Sequence, residues 1–541
     1  MKIKQNERTA NRRFFLLCQV FYFQPNICYM ENINSVHEQK GHPKGLYLLF
    51  FTEMWERFSY YGMRAIFILF LTKALLFSDQ DGSNIYGSYT GLVYLTPLLG
   101  GYLCDRFLGN RRSILIGGIL MAIGQFMMFL CGMMIANHDM ATIMMWAGLT
   151  ALIIGNGFFK PNISTMVGQL YPQGDHRIDG AFTIFYMGIN LGAFFAPLVA
   201  GGLGDTGNIA DFKWGFLVAC IGMLISVVSF ELYKNKYLHR ADGTPVGMPV
   251  AKMNMKAIGM IIGSVILIFF LLSFKTFFNS NLDLTSYLIF GSMILIPMII
   301  ITDKSLTSEE KSRIWVIFIL AFFVIFFWSA FEQAGASLTI FADKQTDRMI
   351  GNWEMPASWF QSVNPLVIIT LAPVFSYFWS QLHKRNMEPS SPRKMAWGLA
   401  LLCLGYVVIA FAVKGVDSST KIAMWWLFAL YLLHTMGELC LSPIGLSMVS
   451  KLAPIRFASL LMGTWFLANA AANKLAGTLS ALIPPSGADV AAGAAKYSSI
   501  LGFQITNLYE FFMVFIAMSG VAAVILFLLS NVLKKMMHGI K

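Results

Sequence analysis

A long series of apolar runs, each of about 20 residues, recurs from residue 46 almost to the C-terminus and constrains this chain most. A helix of that length crosses a hydrocarbon core of about 30 Å. The runs lie at about 46–76, 85–104, 112–136, 142–168, 179–201, 213–233, 257–274, 285–302, 313–341, 358–382, 395–413, 421–449, 457–482 and 506–533. They predict an all-α membrane protein with 14 transmembrane helices.

Composition excludes a soluble globular protein. Of the 541 residues, 56% are hydrophobic and only 13% are charged, with a mean hydropathy of +0.62. So few charges cannot cover a globular surface, which places the chain in the lipid bilayer. An outer-membrane barrel would need many ten-residue segments of alternating polarity, and the sequence has no such series.

The net charge of +12 comes mainly from basic residues in alternate loops. If the N-terminus is cytoplasmic, the cytoplasmic loops and tail contain Arg106, Arg111, Arg112, Lys234, Lys236, Arg240, Lys384, Arg385, Arg393, Lys394, Lys534, Lys535 and Lys541. This asymmetry predicts a multi-pass protein of the cell inner membrane with both termini in the cytoplasm. Nucleic acid is disfavoured as a partner because no basic patch is interleaved with aromatic residues in a soluble domain.

The runs are arranged as six, two and six. The predicted segments are a disordered cytoplasmic arm (1–44), a six-helix bundle (45–236), a linker with two additional transmembrane helices (237–312), a second six-helix bundle (313–534) and a cytoplasmic tail (535–541). Two six-helix halves around a connector are typical of the major facilitator fold, in which the substrate site lies near mid-membrane between the halves.

No catalytic centre, metal site or cofactor site is predicted. The seven cysteines include no C-x-x-C pair, and most lie inside apolar runs as small buried side chains. The string nearest to a zinc-protease motif is His37–His42, whose second histidine is one residue too far along. An intramembrane enzyme is therefore disfavoured.

The first apolar run contains an unusual set of polar residues. Glu53, Glu56, Arg57, Tyr60 and Arg64 follow a spacing of i, i+3, i+4, i+7 and i+11. At about 100° per residue they share roughly a third of the helix circumference. Because a charge near a helix centre costs roughly 2.5–3.5 kcal/mol, this face must line a cavity or pair with other helices. The cluster is interpreted as functional, the alternative being an acid and base cluster that only locks helices together.

Other charges lie in later runs, namely Lys160, Glu332, Glu438 and Lys474. A cavity between the halves would have cationic Arg57 and Lys160 on one wall and anionic Glu332 and Glu438 on the other. Such a cavity suits a zwitterion, and an extended dipeptide separates its amine and carboxylate by roughly 5–7 Å. Lys474, near the external end of its span, is equally consistent with a structural residue that snorkels to the interface.

Uncharged polar and aromatic residues also occur in the runs, among them Tyr61, Tyr94, Asn156, Asn190, Asn364, Asn469, Trp328 and Trp465. A single transmembrane Asn more often joins helices than contacts a ligand. Asn190 and Asn364 stand above this expectation because they fall on the predicted cavity face. Gly188 and Gly192 form a G-x-x-x-G pair, which predicts close helix packing.

Several strings resemble the proton-dependent oligopeptide transporters, the POT or PTR branch of the major facilitator superfamily. The signature E-x-x-E-R-F-x-Y-Y-G stands at Glu53–Gly62, and GGYLCDR at Gly100–Arg106 is similar to a cytoplasmic gating loop of that family. Further matches are the stretch from Gly155 to Gly201, then FWSAFEQAGAS, QSVNPL and GELCLSPIGLSMVSKLAP. The resemblance covers about Gly45 to Leu533.

The resemblance implies roles for matching positions. Di- and tripeptides and protons are the implied partners, with the lipid bilayer around a monomer. The peptide carboxylate would contact Arg57, Lys160, Tyr60 and Tyr94; the amine and backbone would contact Glu438, Asn190 and Asn364; and Tyr61, Trp328 and Trp465 would shape the side-chain pockets. The proton-coupling set would comprise Glu53, Glu56 and Glu332 with Arg57 and Lys160.

The implied mechanism is alternating access. Protonation of Glu332 or of an acid on the first helix is expected to break a salt bridge to Arg57 or Lys160. Relatives in this superfamily branch carry nitrate or other metabolites, but nitrate needs no acid that binds an amine. A peptide sensor without transport is a further alternative.

Overall fold

The computed structural model describes residues 41–172, 175–240, 242–249, 255–278, 280, 282–417, 420–485, 497–500 and 502–540. Nearly all of the predicted cytoplasmic arm and Lys541 of the tail lie outside these ranges. The chain that is described is mostly helical.

The described residues of the first part of the chain form seven helices. These are α1 (Lys44–Leu69), α2 (Asp79–Leu95), α3 (Pro97–Leu103), α4 (Gly109–Met133), α5 (His138–Gln169), α6 (Ile178–Gly204) and α7 (Phe212–Tyr237). π-Helical turns at Phe70–Ala74 and Cys104–Leu108 extend α1 and α3, and a 3₁₀ turn at Ile209–Asp211 precedes α7. Pro97 begins a new helix because proline suits a first helical turn but breaks a continuing one.

The remaining helices begin with a pair, α8 (Met255–Phe277) and α9 (Leu284–Ile301). Then follow α10 (Ser308–Phe331), α11 (Ser337–Gln345), α12 (Val363–Lys384), α13 (Ser391–Val413), α14 (Trp425–Leu452), α15 (Ala458–Ser480) and α16 (Leu508–Met536), with 3₁₀ turns at Glu332–Gly335, Ala357–Ser362 and Ile455–Phe457. A capping box fixes the start of α10, where Thr307 and Glu310 each bond the other's backbone N–H.

Short strands occur in the loops. β1 (Thr346–Asp347) pairs in parallel with β4 (Ile422–Ala423), while β2 (Met349–Ile350) and β3 (Trp353–Glu354) form an antiparallel hairpin, as do β5 (Ser499–Ile500) and β6 (Phe503–Gln504). Each has two residues, so the strands pin loops rather than build a sheet layer.

Eleven helical stretches of the described chain are long and apolar enough to cross a membrane. One of them, Asp79–Met133, is 55 residues long and contains two of the predicted runs. The charged helix α1 and helix α15 are not among the eleven. The all-α membrane architecture is therefore confirmed, whereas the count of 14 helices stays a prediction.

The helices pack in two groups with a pair between them. In the first half, α1 packs against α6 and α7, and α4 packs against α5 and α7. In the second half, α13 packs against α14 and α16, and α10 packs against α15 and α16. The halves meet where α2 contacts α15 and where α6 contacts α12.

Candidate functional site

The polar face of α1 places three charged groups in direct contact. Arg57 Nε lies 2.9 Å from Glu53 Oε1 and 2.6 Å from Glu56 Oε2. Only 2%, 0% and 4% of Glu53, Glu56 and Arg57 are exposed, so lipid and bulk water are both excluded. With Lys160, these residues are called the central ion cluster. It combines two acids and one base that the helical spacing put on one face of α1 with a second base from α5.

Two polar atoms of the central ion cluster have no hydrogen-bond partner in the described part of the chain. They are Nη2 of Arg57 and Oε2 of Glu53. A buried donor or acceptor without a partner loses its hydration and gains nothing in return, so such atoms are rare unless they serve a ligand or a reaction. Arg57 Nη2 is therefore a donor available to an anion.

Lys160 projects from α5 toward the same cluster. Its Nζ lies 4.1 Å from the centre of the Tyr94 ring, and it interacts electrostatically with Glu53, Glu56 and Arg57. Lys160 and Tyr94 are half-buried although most of their neighbours on α5 and α2 are buried. The Tyr94 ring thus gives the Lys160 ammonium a cation–π partner.

Neighbouring residues support the central ion cluster from three sides. Asn156 Nδ2 donates to Glu56 Oε1 over 3.3 Å. The Tyr60 ring centre lies 5.7 Å from the Arg57 guanidinium. A Cβ atom on Gly192 would lie 2.2 Å from the Met54 carbonyl oxygen, so only glycine lets α6 approach α1 this closely. The close packing predicted for this G-x-x-x-G pair is confirmed.

Glu438 and Asn364 form a second polar group in the other half. Asn364 Nδ2 donates to Glu438 Oε2 over 2.8 Å and to Thr435 Oγ1 over 3.1 Å. Tyr61 connects this group with the first half, because its hydroxyl interacts electrostatically with Arg57, Arg64, Glu332 and Glu438.

Glu332 lies at the end of α10 and pairs with Arg64, a residue of the polar face of α1 that was not expected as its partner. Arg64 Nη2 donates to Glu332 Oε2, and Arg64 Nε donates to the Tyr86 hydroxyl over 2.7 Å. A salt bridge from Glu332 or from an acid of the first helix to Arg57 or Lys160 was expected; the acids of the first helix do pair with Arg57, whereas Glu332 pairs with Arg64. Arg64 lies two turns further along α1, level with Glu332, while the two acids of α1 already pair with Arg57.

Gly335 explains how Arg64 and Tyr86 reach Glu332. A Cβ atom at this position would lie 1.9 Å from the Tyr86 hydroxyl and 2.9 Å from Arg64 Nε. Any side chain here would push the arginine away from the carboxylate. The 3₁₀ turn Glu332–Gly335 is thus shaped around the ion pair.

The other predicted contacts are more scattered. Trp328 stacks edge to face on Phe331 with ring centres 5.1 Å apart, and it is half-buried. Trp465 is buried against Gly445 of α14. Asn190 donates to the Tyr186 carbonyl of its own helix over 2.9 Å. No hydrogen bond among the described residues joins Asn190 to Glu438 or to Arg57.

Hydrogen bonds and ion pairs between the two halves, called ties, lie at the end of the bundle where α1 ends and α2 begins, called here the closed end. Besides Arg64–Glu332, they include Lys73 Nζ to Asp343 Oδ1 (2.6 Å), Lys344 Nζ to Asp79 Oδ2 (2.7 Å), Ser83 Oγ to Ser480 Oγ (2.9 Å), Asp205 Oδ2 to Ser358 (3.2 Å) and Ser362 Oγ to Phe194 O (2.8 Å). In the sequence these residues are ordinary charges and hydroxyls near the ends of runs, and only the fold brings them together.

Asp205 is the most enclosed acid of the closed end outside the membrane-spanning segments. Its carboxylate accepts from both the backbone N–H and the hydroxyl of Ser358. Burial raises its pKa above the usual range, although the Ser358 backbone N–H and the charges of Lys73 and Arg348 oppose this and Asp343 adds to it. Asp205 is thus easier to protonate here than in water.

Comparison with known proteins places the chain among transporters. A sequence profile described as the POT family matches residues 111–495. The chain is 38% identical to the peptide transporter YePEPT of Yersinia enterocolitica over 81% of this chain and 88% of that protein. It is 32% identical to a di-/tripeptide transporter of Lactococcus lactis over 82% of this chain and 91% of that protein. A POT family transporter solved in complex with 5-aminolevulinic acid superposes with a TM-score of 0.76 at 32% identity. The match covers 92% of this chain and 98% of that one.

Proposed function

The chain belongs to the POT family of transporters, and from that premise we propose that it is a symporter that imports di- and tripeptides together with protons. It is a multi-pass membrane transporter of the major facilitator type and not an enzyme. The relatives described as peptide transporters support peptides as the substrate class.

The peptide carboxylate is proposed to bind the central ion cluster. The observation that carries this is the buried Arg57 Nη2, which has no hydrogen-bond partner among the described residues. A carboxylate there would gain a charge-assisted hydrogen bond and the attraction of Lys160, with the Tyr60 and Tyr94 rings alongside. The incoming charge also competes with Glu53 and Glu56 for Arg57.

The peptide amine is proposed to bind Glu438 on the opposite wall. Asn364 holds this carboxylate in place, and both Asn364 and Asn190 offer amide groups to the peptide backbone. Tyr61, Trp328 and Trp465 then border the side-chain pockets. An enclosed acid facing an enclosed guanidinium selects a ligand that has both an amine and a carboxylate.

Proton coupling is proposed to act through Glu332. A proton on this carboxylate removes the attraction that holds Arg64 across the two halves. The closed end then loosens, while Glu53 and Glu56 accept or release protons as the peptide occupies Arg57. Peptide and proton would therefore move together because both act on ion pairs of α1.

The halves, about 45–236 and 313–534, are proposed to rock around this site, joined by the linker 237–312. In this proposal the chain lies in the cell inner membrane, and its basic loops and both termini face the cytoplasm. In that orientation the closed end faces outward. The protein works as a monomer in this proposal, since each chain contains both walls of the site.

Uptake into liposomes tests the proposed function. Purified protein should concentrate labelled dialanine when the outside is more acidic, and a protonophore should abolish accumulation. Glu332→Gln should lose accumulation yet keep exchange of dialanine across the membrane. Failure of the unaltered protein to take up dialanine would reject peptide transport, and a Glu332→Gln variant that still accumulates dialanine would reject the role of Glu332.

A second candidate substrate class is a small amino acid that is not a peptide. The structural relative bound to 5-aminolevulinic acid favours it, because that ligand also combines an amine with a carboxylate. Competition distinguishes the two classes: 5-aminolevulinic acid should inhibit dialanine uptake weakly if peptides are the substrates and strongly if small amino acids are.

A further inference from the structure

The pair α8 and α9 packs beside the contact between α2 and α15, which is called here the seam between the two halves. Helix α8 packs against α5 and α2 of the first half, whereas α9 packs against α15 of the second half and also against α2. Ile289 of α9 is fully buried with Leu467, Ala470 and Ala471 of α15. The pair is therefore in contact with both elements that must separate when the closed end opens.

A buried lysine of α15 makes the polar contact between this pair and the seam. Lys474 is 0% exposed, and its Nζ lies 2.6 Å from Asp283 Oδ2 and 2.8 Å from Ser88 Oγ. The ammonium is thus enclosed instead of snorkelling to the interface. Asp283 belongs to the turn between α8 and α9, and Ser88 belongs to α2.

Asp283 is fixed in position by a second role. Its Oδ1 accepts from the Ser286 backbone N–H over 3.1 Å, which caps the first turn of α9. The carboxylate is therefore rigidly presented to Lys474 by the helix that it caps.

The backbones of α2 and α15 approach most closely beside Lys474. A Cβ atom on Gly87 would lie 2.7 Å from Gly477 Cα, and one on Gly91 would lie 3.2 Å from Lys474 Cβ. Lys474 therefore has a polar partner on each side of this contact, Ser88 on α2 and Asp283 at the start of α9.

We infer that α8 and α9 take part in closing and opening the seam. In this inference Asp283 is a positioning residue that lets Lys474 stay charged while it is enclosed at the seam. This inference rests on the proposed function, since it assigns the closed end to one state of an alternating-access cycle. Without Asp283, an enclosed ammonium has only a hydroxyl as partner, which disfavours the closed seam and favours the hydrated, open one.

Disulfide formation between Ser83→Cys and Ser480→Cys tests the inference in the full-length protein in liposomes. The two hydroxyls lie 2.9 Å apart, so the cysteines should link rapidly while the seam is closed. Asp283→Asn should slow linkage at least fivefold, as followed by mass spectrometry of the linked peptides. Adding Lys474→Met to Asp283→Asn should restore the rate to within twofold, because no unpaired charge remains.

Lys275→Met is the matched control. It breaks the ion pair of Lys275 with Asp81, which also ties α8 to α2 but is about half exposed on both sides. Linkage should change by less than twofold. An Asp283→Asn rate equal to that of the parent, or no rescue by Lys474→Met, would overturn the inference. Failure of the parent to transport dialanine would instead reject the proposed function, and the linkage comparison would stand apart from it.

Discussion

The central ion cluster and the closed end are both built from ion pairs, but they use their charges differently. In the central ion cluster, Glu53 and Glu56 share Arg57 within one helix, and two polar atoms, Arg57 Nη2 and Glu53 Oε2, remain unpartnered among the described residues. At the closed end, most pairs join one half to the other. The difference indicates that the first region is arranged to receive a ligand and the second to hold one state of the protein.

The largest effect is expected when the buried Arg64–Glu332 ion pair of the closed end is removed. Arg64→Met leaves Glu332 buried without its cation, which should destabilise the closed end by about 3–5 kcal/mol. The linkage rate of Ser83→Cys with Ser480→Cys should fall steeply. A double variant, Arg64→Met with Glu332→Leu, is the control and should recover much of the rate. An unchanged rate in Arg64→Met would contradict the assignment.

The central ion cluster should be most sensitive at Arg57. Arg57→Lys keeps the charge but loses the planar set of donors, including Nη2. Dialanine affinity should fall about 10- to 100-fold, the loss of about one charge-assisted hydrogen bond. Competition binding on purified protein measures this, with Arg106→Lys in the π-helical turn Cys104–Leu108 as the control. Equal affinities for the parent and Arg57→Lys would show that the free donor does not bind peptide.

The opposite wall can be tested by changing both partners. Glu438→Gln should weaken dialanine binding about tenfold, since the amine loses its counter-charge. N-acetyl-dialanine, which has no cationic amine, should lose much less affinity to the same substitution. If both ligands lose affinity equally, Glu438 contributes to the fold of the cavity and not to amine binding.

Asp205 gives the closed end a smaller dependence on pH. Because its pKa is raised by burial, its neutral form stabilises the folded, closed end at low pH, and this contribution is lost as the pH rises through the raised pKa. Asp205→Asn should remove this dependence while keeping an oxygen that accepts from Ser358. Thermal unfolding midpoints measured as the pH is raised from the ordinary aspartate pKa of about 4 should decline less in the variant. A parallel decline would exclude Asp205 as the titrating group.

The smallest effect is expected at Lys73, whose side chain is 34% exposed where it meets Asp343. Lys73→Met should change the stability of the closed end by only about 0.2–1 kcal/mol, because solvent already screens the pair. The same linkage assay measures it beside Arg64→Met. A loss as large as that of Arg64→Met would mean that burial does not distinguish these ties.

Much of the architecture follows from the sequence, because apolar runs of helical length report lipid directly. The polar face of α1 was also predictable, since 3.6 residues per turn fix which side chains share a face. The Arg64–Glu332 pair was not, as the residues are 268 positions apart and their relative height depends on how the halves pack. The need for glycine at position 335, which makes room for that pair, follows only from the packing of Tyr86 and Arg64 against it.

Asp283 with Lys474 shows the same limit. The sequence placed an isolated lysine near the end of a span, and snorkelling was an equally good interpretation. The fold brings the Asp283 carboxylate, from a turn almost two hundred residues earlier, to 2.6 Å from Lys474 Nζ. Long-range polar contacts of this kind need the packing geometry, which a single sequence does not contain.

Spin labels at both ends of the bundle test most directly whether the charge of Glu332 sets which end is closed. Asn208→Cys with Val416→Cys reports the closed end, and Lys236→Cys with Arg385→Cys reports the opposite end; all four positions are exposed. In Glu332→Gln, which mimics the protonated acid, pulsed electron spin resonance should show a longer distance between the first pair and a shorter one between the second. Distance distributions that match the parent at both ends would contradict the account.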